Sequence, residues 1–372
     1  MNNQNSVAED LELLCAVALN AMIPLANERT LQSAYYILRG RKANQTLQDV
    51  HLYSLYPYYR MFPRFSKEDW DKIVATLFQN GHVQQREGEG ASAKPTFLVT
   101  EKGKQAAQEA YEKYRLAIWF APFTQFDLAA RIETFWQRLH LLVQTVSQML
   151  GKDLGFTPVV TDKSVQLWVK QQVQFPEARI VWMNGLREEL YHLWEPLEPD
   201  VQKLLVAQLS GISQVGKTLG QLAKQQQVAR VYLTLLFRYG LAASIQRLMK
   251  EAQKFPLLSQ LVSQENRLDP RLSNSAARTY AMVQRGLTKA EIATRRNMKE
   301  STVEDHLVEI ALRCPEWDES AYLPPETRSV IVAASEKLQT SRLRLIKDHV
   351  GPGVSYLQIR LALARRQGET NG

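Results

Sequence analysis

Two cysteines, Cys15 and Cys314, are all that 372 residues contain. That number excludes a disulfide framework and a four-thiolate zinc site, and it makes a reducing cytoplasm the natural compartment. Histidine is sparse too: six are scattered with no HExxH or similar spacing, so no metal site is expected. The apolar run Leu11–Ala26 is too short for a bilayer and is interrupted by Asn20 and Pro24. Its flank, Ala8-Glu9-Asp10, is acidic where a secretory leader would be basic, so no membrane association is expected. There is no Ser/His/Asp ordering, no nucleophile elbow and no glycine-rich dinucleotide fingerprint after a strand. A non-enzyme without a cofactor is the expectation. Acidic excess is absent as well: the net charge of +8 is compatible with nucleic acid but too dispersed to require it. The composition, 45% hydrophobic and 23% charged, is that of an ordinary globular chain.

The strongest positive signal runs from Ser275 to Cys314. Thr288-Lys289-Ala290-Glu291 and Ser301-Thr302-Val303-Glu304 both fit the capping box, in which a hydroxyl and a glutamate satisfy first-turn amides reciprocally. Between them, residues 295–299 are too few for anything but a polar turn. Val303, Leu307, Ile310 and Ala311 then recur at helical spacing, so one face docks and the opposite face is expected to stay open for a DNA major groove. In that reading Lys299, Thr302, Asp305 and His306 lie near base edges, Lys289, Arg295, Arg296 and Lys299 lie near phosphates, and Ser301 is a further DNA-binding candidate. The acids Glu304, Asp305 and Glu309 weigh toward a motif that only packs, because carboxylates in a groove meet phosphate repulsion.

The expected fold is mostly α, in three parts. Residues 1–115 are read as a winged-helix-like domain: helical patterns at Thr30–Arg39, Gln45–Tyr56 and Ser66–Asn80 precede two short strands, His82–Glu87 and Thr96–Thr100. Residues 116–265 form a helical middle domain broken near 151–158, Phe175-Pro176, Pro196–Pro199 and Phe255-Pro256. Residues 266–366 form a helix-turn-helix domain entered through Leu261–Asn274, and residues 367–372 are read as a flexible tail. Inside the third part, Ser355-Tyr356-Leu357-Gln358 is another capping box, and Arg342, Arg344, Lys347, Arg360, Arg365 and Arg366 make a dense positive patch. The hairpin offers Arg86 and Lys94 to a phosphate backbone or simply to solvent.

Two further patterns have bland readings beside functional ones. Gly211-Ile-Ser-Gln-Val-Gly216-Lys217-Thr218 satisfies the phosphate-loop pattern. The residues before it have helical spacing, however, and no strand ending in aspartate follows, so a second helix-turn-helix-like pair is preferred over a nucleotide hydrolase. The cluster Tyr53, Tyr56, Tyr58, Tyr59, Phe62 and Phe65 beside Arg60 and Arg64 could stack bases, but aromatics at this density are more often core.

On these residues, the stretch from about 270 to 366 resembles the helicase helix-turn-helix domain at the C-terminus of many bacterial RecQ-type helicases. The matching blocks are Thr279-Tyr280, Leu287 through Ala293, Ser301 through Leu307 and Ser355 through Arg360. The N-terminal region resembles the winged helix that follows the motor there, through Ile37-Leu38-Arg39-Gly40, Gly81-His82-Val83 and Leu98 through Gly103. Taken whole, the chain is similar to the stand-alone YpbB-like bacterial proteins, which lack a motor. The resemblance implies a cytoplasmic, nucleoid-associated accessory factor for DNA repair or recombination, with DNA and a RecQ-like helicase as partners. Departures from the helicases are the missing motor, the missing four-cysteine site and a wing tip, Gly88–Pro95, without an aromatic wedge. A sequence-specific transcription regulator and a protein-docking scaffold without DNA contact remain open as alternatives.

Overall fold

A computed structural model of the chain describes residues 2–87, 95–124, 126–152, 155–262, 269 and 271–365. The fold is mostly α, with 18 helices making up 66% of it and one two-stranded antiparallel sheet among the described residues. In chain order, α1 (Asn2–Met22), α2 (Leu31–Arg39) and α3 (Asn44–Leu52) come first. Next is α4 (Lys67–Gln79), opened by Ser66, whose Oγ accepts from the Asp69 amide at 3.0 Å. Strands β1 (Val83–Arg86) and β2 (Thr96–Val99) follow, and then α5 (Glu101–Lys113) starts at Thr100, which caps Gly103.

The helical middle holds α6 (Leu116–Phe120), α7 (Phe126–Leu150), α8 (Lys163–Gln172), α9 (Pro176–Trp194), α10 (Pro199–Ala207), α11 (Leu219–Gln226) and α12 (Arg230–Lys250). Helices α9 and α10 begin on proline, whose missing N–H would have no partner in a first turn anyway. The last third holds α13 (Asn274–Val283), α14 (Lys289–Arg295), α15 (Glu300–Arg313), α16 (Pro325–Lys337), α17 (Leu343–Val350) and α18 (Tyr356–Arg365).

Contacts divide the chain into two compact units. One comprises Met1–Asn20, Ser66–Val83 and Thr100–Ser263; the other comprises Ala21–Phe65, Gln84–Val99 and Gln264–Gly372. The first unit is organised on the long helices α7 and α12, which pack on each other and against α8, α9, α10 and α11. Trp119, Trp168, Trp182 and Trp194 are buried there, and Trp136 stacks edge-on against Phe237 at 4.9 Å.

The second unit is organised on α15. Helices α13 and α14 pack on it from the neighbouring sequence, α18 from further along, and α3 from almost 250 residues upstream. Thus residues 1–115, read from sequence as one domain, supply helices to both units. Polar ties hold α2 and α3 in place. Arg29 Nε reaches Asp49 Oδ1 at 2.8 Å, and Glu28 accepts from Thr340 Oγ1 and the Ser341 amide at 2.9 and 3.0 Å. His51 Nε2 meets the Ala364 carbonyl at 3.0 Å. The aromatic cluster is largely core: Tyr58, Tyr59 and Phe65 are buried, while Tyr53, Tyr56 and Phe62 are half-buried.

Helix α2 ends at Gly40 in the left-handed region, φ +79°, where an ideal Cβ would lie 1.7 Å from Arg60 Cγ. Gly81 has a similar φ of +69° but nothing within 4 Å of that position. Gly81→Ala is therefore expected to cost only the left-handed backbone penalty, about 1 kcal/mol. Gly40→Ala adds a clash and should cost about 1–3 kcal/mol more. Urea unfolding of both variants checks this, and equal midpoints would contradict the close approach of Arg60.

Candidate nucleic-acid interface

The helix-turn-helix is formed as its start signals require, with one exception. Thr288 and Glu291 make a complete capping box: the Glu291 amide donates to Thr288 Oγ1 at 3.3 Å and the Thr288 amide to Glu291 Oε2 at 2.8 Å. Those bonds hold the Glu291 carboxyl below its ordinary range. Asn297 then turns the chain at φ 49°. The second box, expected at Ser301, does not form. Helix α15 starts one residue earlier at Glu300, with Lys299 as its N-cap and no side-chain cap, and Ser301 stands exposed in the first turn. Glu304 instead accepts from Lys289 Nζ at 2.6 Å, and the same ammonium pairs with Glu300 at 3.2 Å. Glu304 first and Glu300 after it hold the Lys289 ammonium above its usual value.

The expected open face of α15 is closed over the middle of the helix. Val303, Leu307, Ile310 and Ala311 are buried as the spacing implied, but His306, Val308 and Glu309 are buried with them. Contact with α13, α18 and α3 accounts for this, and α3 and α18 could not be foreseen from local periodicity. Thr302 and Asp305 are half-buried. Asp305 pairs with Arg360 Nη2 at 2.9 Å, while Arg360 Nε donates to Gln48 Oε1 at 3.2 Å, so one guanidinium joins α18, α15 and α3. Glu309 accepts from the Ser273 amide at 2.7 Å and from its hydroxyl at 2.9 Å, anchoring the start of α13.

Arg296, read as a phosphate contact, is instead an internal clamp. Its Nη1 donates to the Ser275 carbonyl at 2.8 Å and to Thr279 Oγ1 at 2.5 Å, and its Nη2 to Ser275 Oγ at 3.0 Å. The Thr279 hydroxyl is in turn 2.9 Å from His306 Nδ1, so a chain of hydrogen bonds runs from α14 through α13 to α15. Burial first, then the positive charge of Arg296, keeps His306 below the usual histidine value.

The other candidates divide in the same way. Lys347 donates to the carbonyls of Gly351 and Pro352 at 3.2 and 3.0 Å and to that of Val354, closing the end of α17. Arg365 is tied to Glu319 at 3.0 Å. Arg344 is exposed, 4.0 Å from Asp348, and Arg342 is half-buried. Arg86 is exposed and donates to Asn27 Oδ1 at 3.1 Å. Lys94 and Arg366 lie outside the described residues. Arg295 and Lys299 remain exposed, with no carboxylate at salt-bridge distance among the described residues. Two exposed cations join them that the sequence reading passed over, Arg278 on α13 and Arg285 after it. The signal for Arg278 was present, since Ala276, Ala277 and Tyr280 face inward and leave position 278 outward.

Two look-alike sites resolve on inspection of their bonds. Asp269, Cys314 and Glu316 bring ligand-type atoms within 4.8 Å of one another. The Arg271 guanidinium already bridges both carboxylates, at 2.8 Å to Asp269 and 2.9 Å to Glu316. Burial pushes the Cys314 thiol up to about 11, so it is not a thiolate. The phosphate-loop pattern follows helix α10 and not a strand, and five of its eight amides are spent internally. Gly211 donates to Gln214 O, Ile212 to Ser147 Oγ, Gly216 to Ser210 Oγ, Lys217 to Ala207 O and Thr218 to Gln221 Oε1. Lys217 Nζ itself reaches Gln225 at 2.7 Å.

Arg296→Ala should destabilise the protein by about 1–3 kcal/mol, because it strands buried acceptors, whereas Arg295→Ala should stay within about 0.5 kcal/mol. Chemical denaturation of both variants separates the two roles, and equal losses would refute them. His306 also makes stability pH-dependent. Its folded pKa lies below the unfolded value of about 6.5, so its contribution is complete above pH 6.5 and falls away as the pH drops through the folded value. His306→Gln should flatten the acid limb of a stability profile below about pH 6.5; an unaltered limb would place the titration elsewhere.

Among the described residues, no helix is long and apolar enough to cross a membrane. Residues 275–363 match a family model described as a helix-turn-helix domain. The chain is 26% identical over 350 residues to Protein YpbB of Bacillus subtilis (strain 168), covering 94% of this chain and 96% of that protein. No solved structure matches the chain. The chain is thus similar to a YpbB protein along nearly its whole length and forms the bihelical motif in its last third, which supports a YpbB-like helix-turn-helix protein and suggests DNA binding.

Proposed function

We propose that this protein is a cytoplasmic, non-catalytic accessory factor that holds DNA mainly by its phosphates and supplies helix-turn-helix and winged-helix elements to a RecQ-like helicase. The observation that carries the DNA part is the set Arg278, Arg295 and Lys299: exposed cations on one helix-turn-helix, none with a carboxylate at salt-bridge distance among the described residues, although Glu291 lies near enough to feel the charge of Arg295. Cations of this kind attract the phosphate backbone without reading bases, so affinity is salt-dependent and nearly indifferent to sequence. The helicase part rests on the resemblance of residues 270–366 to the domain that ends RecQ-type helicases. Arg86, Lys94, Arg342 and Arg344 belong to the same proposal as peripheral phosphate contacts.

A docking scaffold is the second reading, and one observation favours it. Helix α15 is buried from His306 to Ala311, so it has no long free face to lay in a groove. That same enclosure disfavours an operator-reading transcription regulator.

Fluorescence anisotropy with two unrelated duplexes across a salt series tests the proposal. Arg295→Ala/Lys299→Ala should lower the slope of log K against log salt by about 2 for both duplexes alike. A slope unchanged from wild type would transfer the weight to the scaffold. If DNA binding holds but a RecQ-like helicase unwinds no better in the protein's presence, the accessory role fails alone.

A further inference from the structure

Around the end of α2 lies a second group of cations that the helix-turn-helix does not use. Arg39, Arg41, Lys42 and Arg64 are exposed, and none has a carboxylate at salt-bridge distance among the described residues. From Arg29 to Lys67 the one acid is Asp49, and it is buried against Arg29.

Main-chain bonds, not chance proximity of side chains, gather the group. The Arg60 amide donates to Ile37 O at 3.0 Å and the Phe62 amide to Leu38 O at 2.9 Å, laying residues 60–62 along the last turn of α2. Gly40 lets Arg60 pass directly over that turn. Arg39 Nη1 donates to Tyr35 Oη at 3.0 Å, and that hydroxyl donates to the Phe65 carbonyl at 3.3 Å, which brings Arg39 beside the Arg64–Phe65 backbone. The Arg41 guanidinium is steadied over the Tyr36 ring at 4.3 Å.

A helix C-terminus favours nearby cations, which accounts for Arg39 in the last turn of α2. Arg41, Lys42 and Arg64 lie beyond the helix, where that effect has faded. Like charges assembled without counter-charges repel one another, and a polyanion relieves the repulsion. We infer that Arg39, Arg41, Lys42 and Arg64 form a second binding site for the phosphodiester backbone of nucleic acid. The inference rests on the DNA reading above and extends it to the N-terminal part of the same unit. Backbone phosphate is the ligand, not stacked bases, because Tyr58, Tyr59 and Phe65 are already buried. Helix α3, which starts two residues after Lys42 and packs on α15, ties this loop to the helix-turn-helix within one compact unit.

The test is the full-length triple variant Arg41→Ala/Lys42→Ala/Arg64→Ala, read by anisotropy on a labelled duplex over a salt series beside Arg295→Ala/Lys299→Ala. The expected result is a fall in salt slope of about 3, one per cation, with roughly tenfold or greater loss of affinity. Arg41→Lys/Arg64→Lys should keep the wild-type slope, since charge is preserved. A wild-type slope in the triple variant, alongside a reduced one in the helix-turn-helix variant, overturns this site and leaves the DNA reading standing. Absence of wild-type binding to any duplex overturns both. Retained DNA slope with lost adhesion to phosphatidylserine vesicles would reassign the cluster to a membrane surface and overturn the nucleic-acid inference.

Discussion

Helix α15 cannot be both the centre of a unit and a probe laid along a groove, and the rest of the second unit depends on its being the centre. Six consecutive residues of it, from His306 to Ala311, are all buried. Helices from three separate stretches of chain close around it: α13 and α14 just before it, α18 after it, and α3 from the N-terminal region.

The acids on α15 make sense in that setting. Glu304, Asp305 and Glu309 would be repelled by phosphate, yet each answers a group of its own chain: Lys289, Arg360 and Ser273. A carboxylate that is paired and hydrogen-bonded inside a protein is tolerable, whereas an unpaired buried one is not. The positive charge is sorted by the same rule. Arg296, Arg360, Arg365 and Lys347 face inward to carbonyls and acids, and their contribution is to geometry. Arg278, Arg295 and Lys299 remain outside, as do Arg41, Lys42 and Arg64. Net charge alone could not make this division, because it counts a clamp and a free cation alike.

Local chemistry was legible residue by residue. The boxes at Thr288 and Ser355 and the cap at Ser66 are formed, since each needs only groups within four residues. The box at Ser301 is missing because α15 starts at Glu300 with Lys299 as its N-cap, which places Ser301 inside the first turn, and the Glu304 carboxylate is bonded to Lys289, fifteen residues away. The phosphate-loop letters illustrate the converse. A pattern of glycine, lysine and threonine specifies a phosphate cradle only if its amides are free, and five of the eight here are committed to Gln214, Ser147, Ser210, Ala207 and Gln221.

What the sequence determined by itself is therefore the helical class, the breaks at proline, the bihelical motif and the caps whose partners lie within a turn. These rest on short-range periodicity and on hydrogen bonds the backbone must satisfy nearby. Which face of α15 stays open, which arginines remain exposed and which helices of residues 1–115 join the second unit were decided by tertiary structure alone. Burial depends on partners hundreds of residues apart, such as Gln48 with Arg360 and Glu28 with Ser341, and no window along the chain contains both members of such a pair.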